Sequence, residues 1–171
     1  MSTECKTDAE PLQPAEYDLA GRWLSDPDTN KWLASGWRGR KIDEKALAAV
    51  CMNRRNRLFL VRHEGVPCGL VALGCIDPKD KTALMWYLLG EQTWGGRGVM
   101  TSAVRQVARI AFSELQLSSL QASVMEPNHA SARVLQKVGF KPAGRLRRGL
   151  VLDGHHVDRL LFDLLPEDLA L

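Results

Sequence analysis

Trp94-Gly95-Gly96-Arg97-Gly98-Val99-Met100-Thr101 lies between a β-type run at 82–89 and a helical pattern at 99–115. Its three glycines let the backbone come close to a ligand. The free N–H groups of the following helix turn point into the same space, where the helix dipole favours an anion. That is an arrangement for phosphate. Taken alone, a glycine-rich turn before a helix is as often only a turn. No Gly-Lys-Ser/Thr follows, so it is not a nucleotide P-loop. The strands before it form a meander, so it is not a dinucleotide fingerprint either.

Moving outward toward the N-terminus, 57–63, 66–76 and 82–89 read as three strands. Short turns separate them, which predicts an antiparallel meander. Before them, Tyr17, Leu19, Ala20, Trp23 and Leu24 recur at helical spacing. Ser-Asp-Pro-Asp-Thr-Asn at 25–30 then breaks the pattern as a turn, and Trp32, Leu33 and Trp37 fall in a loop or short helix. A second helix over 42–54 is capped by Asp43 and puts Leu47, Val50 and Cys51 on one face. Residues 1–10 are expected to be a disordered tail, with an optional short strand near Leu12; residues 11–171 are expected to form one domain.

Toward the C-terminus, Val104, Val107, Ala108, Ala111 and Phe112 line one face of the 99–115 helix. A strand over 118–125 and a helix over 128–138 follow, the latter ended by Gly139 as a left-handed cap. Strands at 144–152 and 157–164 flank Asp153-Gly154, a strong type I′ hairpin signal. The predicted fold class is α/β: a mixed, mostly antiparallel central sheet flanked by helices, in the order (β)ααβββαβαββ.

The chain has 171 residues, 45% of them apolar and 25% charged, enough for one hydrophobic core without staples. A net charge of +3, with basic and acidic residues interleaved, argues against nucleic acid as a partner. The densest basic cluster is Arg145, Arg147 and Arg148. Cys5, Cys51, Cys68 and Cys75 match no zinc or redox spacing and read as reduced thiols. The expectation is a cytoplasmic protein with no metal and no membrane span, monomeric or homodimeric.

A second informative stretch runs over 126–140: Glu126-Pro127-Asn128-His129-Ala130-Ser131-Ala132-Arg133-Val134-Leu135-Gln136-Lys137-Val138-Gly139-Phe140. With the glycine turn it resembles the GNAT acetyltransferase superfamily. The turn is similar to that family's Gln/Arg-x-x-Gly-x-Gly/Ala pyrophosphate loop, and the second stretch to its Asn-x-x-Ser-x-x-x-Leu-x-x-x-Gly-Phe helix. The closest branch holds the ribosomal-protein N-terminal alanine and serine acetyltransferases. The resemblance spans about 12–165 and includes the Trp-Leu-x-Asp-Pro opening at 23–27 and the closing Asp158-Arg159-Leu160-Leu161-Phe162.

The resemblance implies transfer of an acetyl group from acetyl-CoA to a primary amine: a protein N-terminus, an amino sugar or another small amine. It implies that pantetheine lies along Leu88, Leu89 and Gly90. The pyrophosphate would sit on the backbone N–H groups of Gly96, Arg97, Gly98, Val99 and Met100, with Gly95 counted in the same cofactor site. Gly95 stands where the motif has Gln or Arg, so binding rests on the backbone; the Arg97 side chain either helps or is simply exposed. Asn128 corresponds to the residue that holds the pantetheine arm, and it is also a good helix cap. Ser131 corresponds to a serine near the CoA sulfur that can serve the leaving thiolate.

The usual base is missing. Leu84, Met85 and Trp86 occupy the strand positions of the common Glu, Leu135 the position of the common Tyr acid, and Leu150 that of the branch's alternative Glu. Tyr87, His155, His156 and Asp158 are the candidates left, unless water takes the proton. Trp32, Trp37 and Arg38 are the expected acceptor-binding residues. Two alternatives stay open: a CoA- or acyl-binding module without catalysis, or an enzyme using longer acyl-CoA or acyl carrier protein donors.

Overall fold

In the computed structural model, which describes residues 7–170, the meander is the centre of the sheet. Strands β2 (Arg57–His63), β3 (Val66–Asp77) and β4 (Thr82–Leu89) pair antiparallel, with Val71 opposite both Phe59 and Tyr87. β3 is apolar almost throughout because both of its faces are covered. Val71 and Leu73 enter one buried cluster, while Leu70 and Ala72 enter another on the opposite face.

Strand β1 (Thr7–Pro11) adds antiparallel to the outer edge of β2, with Thr7 opposite His63 and Pro11 opposite Phe59. This corrects the expected tail. Residues 7–10 are sheet, although all but Thr7 and Ala9 are exposed. The rest of that expectation, residues 1–6, lies outside the described residues.

β5 (Ser119–Met125) joins β4 in parallel, then β7 (His155–Leu164) and β6 (Lys141–Leu152) complete the order β1-β2-β3-β4-β5-β7-β6. β6 begins three residues earlier than its alternation suggested, paired through Lys141 and Pro142 with β7. The hairpin turn is as expected: Asp153 and Gly154 have φ of 48° and 80°, the left-handed pair that a type I′ turn needs.

Helices α4 (Val99–Ser113) and α5 (His129–Val138) cover one face, burying Val104, Val107, Leu135 and Val138 against Leu73, Leu120 and Phe162. Asp43 caps α3 (Glu44–Met52) by accepting from the Ala46 N–H. The 25–30 segment makes more than a turn: Asp26 accepts from the Asp28 N–H and starts a single helical turn, α2 (Pro27–Asn30). Together with α1 (Tyr17–Ser25), these helices bury Leu24, Leu47, Leu60, Leu70 and Leu88 on the opposite face. That second buried cluster takes no residue from β5, β6 or β7. Over this half of the sheet the face stays open, and the cleft described below lies there.

Candidate active site

β4 and β5 are paired only from Thr82 to Leu84, against Ser119 to Gln121. Beyond those residues the two strands part. A cleft of about 1470 Å³ opens between them, lined by Met85 to Leu89 on one side and Ala122 to Met125 on the other. The β4 edge from Met85 to Leu89 therefore has no strand beside it on the β5 side. Such an edge is a template for an extended, amide-bearing ligand.

At the end of this edge a short turn, Gln92–Trp94, leads into the glycine loop. Gly96 and Gly98 have φ of 75° and 76°, and a Cβ on either would meet no protein atom within 4 Å. Gly98 is the N-cap of α4, with no side-chain cap. The N–H groups from Gly96 through Thr101 meet no acceptor among the described residues. A helix N-terminus with unmet donors, open space and left-handed glycines fits a diphosphate. Arg97 is exposed beside it, its guanidinium 5.2 Å from the Trp94 ring centroid.

Gly90 has a second duty. A Cβ there would stand 2.1 Å from the Trp23 ring, and its N–H already donates to the Cys68 carbonyl at 2.8 Å. Of the three edge residues expected to meet pantetheine, Gly90 thus offers only its carbonyl. Leu88 keeps its side chain buried on the α1 side.

Asn128 is the N-cap of α5, its Oδ1 accepting from the Ser131 N–H at 3.2 Å. Its amide N–H₂ stays available toward the cleft, which it lines. Ser131 Oγ donates to the Tyr87 hydroxyl at 2.9 Å, and that hydroxyl donates to the Ser131 carbonyl at 2.8 Å. Burial pushes the Tyr87 pKa up, against the hydrogen bond from Ser131 that lowers it. Tyr87 therefore keeps its proton at neutral pH and is no base there. Leu135 is fully buried against α4 and the sheet, so that position has become core.

The other base candidates fare no better. His155 and His156 are exposed beside the hairpin turn. Asp158 accepts from the Arg148 N–H and from Arg145 Nε, in that order of effect, and both hold its carboxyl below the usual range. It organises the hairpin and has little basicity to offer.

Trp32 and Trp37 line the cleft. Trp37 stands 5.1 Å from Trp86, centroid to centroid, with the rings tilted by 51°. Arg38 is placed apart: it borders a neighbouring hollow of about 350 Å³ and donates to the Val151 carbonyl, tying the loop to the β6–β7 hairpin. Two residues on the cleft wall escaped the sequence reading. In the sequence Trp86 marks only the position of a missing Glu, and Arg159 only part of the closing strand. Strand alternation could have found Trp86, since it puts Trp86 and Tyr87 on opposite faces of β4.

Comparison with known proteins follows the same outline. The family described as Acetyltransferase (GNAT) domain matches residues 9–141. YdaF of Bacillus subtilis, named as a proposed ribosomal N-acetyltransferase, is 26% identical over 155 residues, covering 86% of this chain and 79% of its own. YjcK of the same organism, named as a probable N-acetyltransferase, is 39% identical over 88 residues, or 52% of this chain and 48% of its own. Among solved structures, a spermidine N-acetyltransferase from Vibrio cholerae in complex with CoA and spermine superposes with a TM-score of 0.84 at 15% identity, covering 95% of this chain and 97% of that one.

Proposed function

Because this chain belongs to the GNAT family of N-acetyltransferases, we propose that it moves an acetyl group from acetyl-CoA to a primary amine. The observation that carries this is the row of unmet N–H groups at Gly96–Thr101 running into the unpaired β4 edge. When bound, acetyl-CoA supplies an activated thioester and a thiol leaving group. The loop N–H groups hold its diphosphate, the β4 edge takes its amides as an added strand, and the Asn128 amide steadies the arm. Ser131, backed by Tyr87, serves the sulfur end.

The acceptor, a protein N-terminus, an amino sugar or another small amine, enters over Trp32, Trp37 and Trp86. A cytoplasmic setting belongs to the same proposal, supported by Cys51, Cys68 and Cys75 standing as free thiols. The test is thiol release followed across a panel of amines, with acetyl-CoA set against longer acyl-CoA donors. Release that needs an amine and favours acetyl supports the reading. CoA binding without release under any pair would leave a binding module.

Two expected results arise here. Trp37→Ala raises the acceptor KM about ten-fold, the scale of an aromatic anchor, and leaves the acetyl-CoA KM near wild type. Equal damage to both constants would remove Trp37 from the acceptor wall. Second, none of Tyr87, His155, His156 and Asp158 is placed or poised as a base, so on this reading the amine itself sheds its proton to water, and holding the reactants together does the rest. The rise of kcat/KM with pH should then follow the amine: two acceptors differing in pKa should show midpoints displaced in the same direction. A single midpoint for both would reveal a protein base.

A further inference from the structure

Four residues of β7 line the cleft, Arg159, Leu161, Phe162 and Asp163, and two of them are charged. Their charges are met very differently. Asp163 lies opposite Lys141 in the β6 register, although that lysine is ion-paired with Asp168. Asp28, at the cleft mouth, is paired with Lys31, and Asp26 is engaged by the Asp28 N–H and the Thr29 hydroxyl. Arg159 has no such partner. Opposite it stand Met125 on β5 and Leu146 on β6. Its side chain makes no hydrogen bond or ion pair among the described residues, and its Nε is shut off from solvent without an acceptor. The nearby acids are taken, because Glu126 and Asp158 both bind Arg145.

A half-buried guanidinium among apolar neighbours loses hydration that nothing in the protein restores. Its fork of donors matches a carboxylate or a phosphate. Resting on the acyltransfer reading above, we propose that the acceptor is an amine that itself carries an oxyanion, seated on Arg159, with its apolar part against Trp37 and Trp86. Asp28 is ion-paired and Asp26 hydrogen-bonded, while Arg159, like Arg133 and Lys137 on the same lining, has no carboxylate partner among the described residues, so a polycationic amine is the acceptor this surface suits least.

Matched pairs test this: an amino acid against its amide, an amino-sugar phosphate against the free amino sugar, and spermidine as the polycation. Each is assayed for thiol release and titrated by tryptophan fluorescence into the CoA-saturated protein. Wild type should favour the anionic member of one pair by about ten- to a hundred-fold, and the pair that responds tells carboxylate from phosphate. Arg159→Gln should erase that preference while the acetyl-CoA KM and the melting temperature hold, and Arg159→Lys should keep part of it. A wild-type preference for neutral amines or spermidine overturns the inference, as does an Arg159→Gln loss that is equal for all acceptors or falls on acetyl-CoA. Anion-dependent, Arg159-dependent binding without turnover would keep the inference and sink the acyltransfer reading. Turnover indifferent to Arg159 would do the reverse, and neither binding nor turnover would end both.

Discussion

Gly98→Val should weaken CoA binding by about a hundred-fold or more, with the fold intact. Gly98 is the N-cap of α4 at φ 76°, where an L side chain costs roughly 1–2 kcal/mol. A domain stable by about 5–15 kcal/mol survives that. No protein atom lies within 4 Å of a Cβ there, so the valine does not clash with the protein. It projects instead into the space beside the unmet N–H groups. Losing two charge-assisted hydrogen bonds of about 1.5 kcal/mol each amounts to about two decades in affinity. Gly98→Asn is the control, since Asn tolerates this φ more cheaply and should lose less. Calorimetric titration with CoA beside a thermal melt reads both effects. Undiminished affinity in a folded Gly98→Val protein would remove the phosphate site from this loop and the basis of the proposed function with it.

How far the sequence alone reached depends on how local each signal was. The meander, α4, the Asp43 and Asn128 caps and the Asp153-Gly154 hairpin are written within a few residues of themselves, and they stand where expected. β1 carries no such signal. Thr-Asp-Ala-Glu-Pro is polar and ends in proline, which edge strands tolerate, and its only pairing is with residues some fifty positions away. The cleft is equally invisible, because it comes from a parallel β4–β5 contact that ends after Leu84. Arg159 reads as one more surface arginine until the register sets Met125 and Leu146 beside it. The glycine loop was legible because composition, position and the helix pattern agree there. That Arg38 reaches the β6–β7 hairpin was not legible, because its partner, the Val151 carbonyl, lies 113 residues on.

Ser131→Ala should lower kcat by roughly ten- to a hundred-fold, the low end of general-acid effects, with CoA affinity near wild type. A departing thiolate, of pKa near 8.5, needs only modest help, and one hydroxyl can give it. Serine alone is a weak donor, yet this one is not alone. Its Oγ donates to Tyr87, whose own proton is committed to the Ser131 carbonyl. As charge gathers on sulfur, the Ser131 proton can turn to it and Tyr87 can turn its proton to Ser131 Oγ, so that two hydroxyls share the load. Because burial raises the Tyr87 pKa, this tyrosine still holds its proton where an ordinary one, near 10, begins to lose it. Activity should therefore show no falling limb from Tyr87 up to that pH. Tyr87→Phe should lower kcat less than Ser131→Ala does, and the double variant should be no worse than Ser131→Ala alone, since the tyrosine acts through the serine. Losses that multiply in the double variant would show that the two act independently. A larger loss in Tyr87→Phe would make the tyrosine the direct donor. Wild-type kcat in Ser131→Ala would return that serine to the surface of α5 and leave the thiolate to depart unaided.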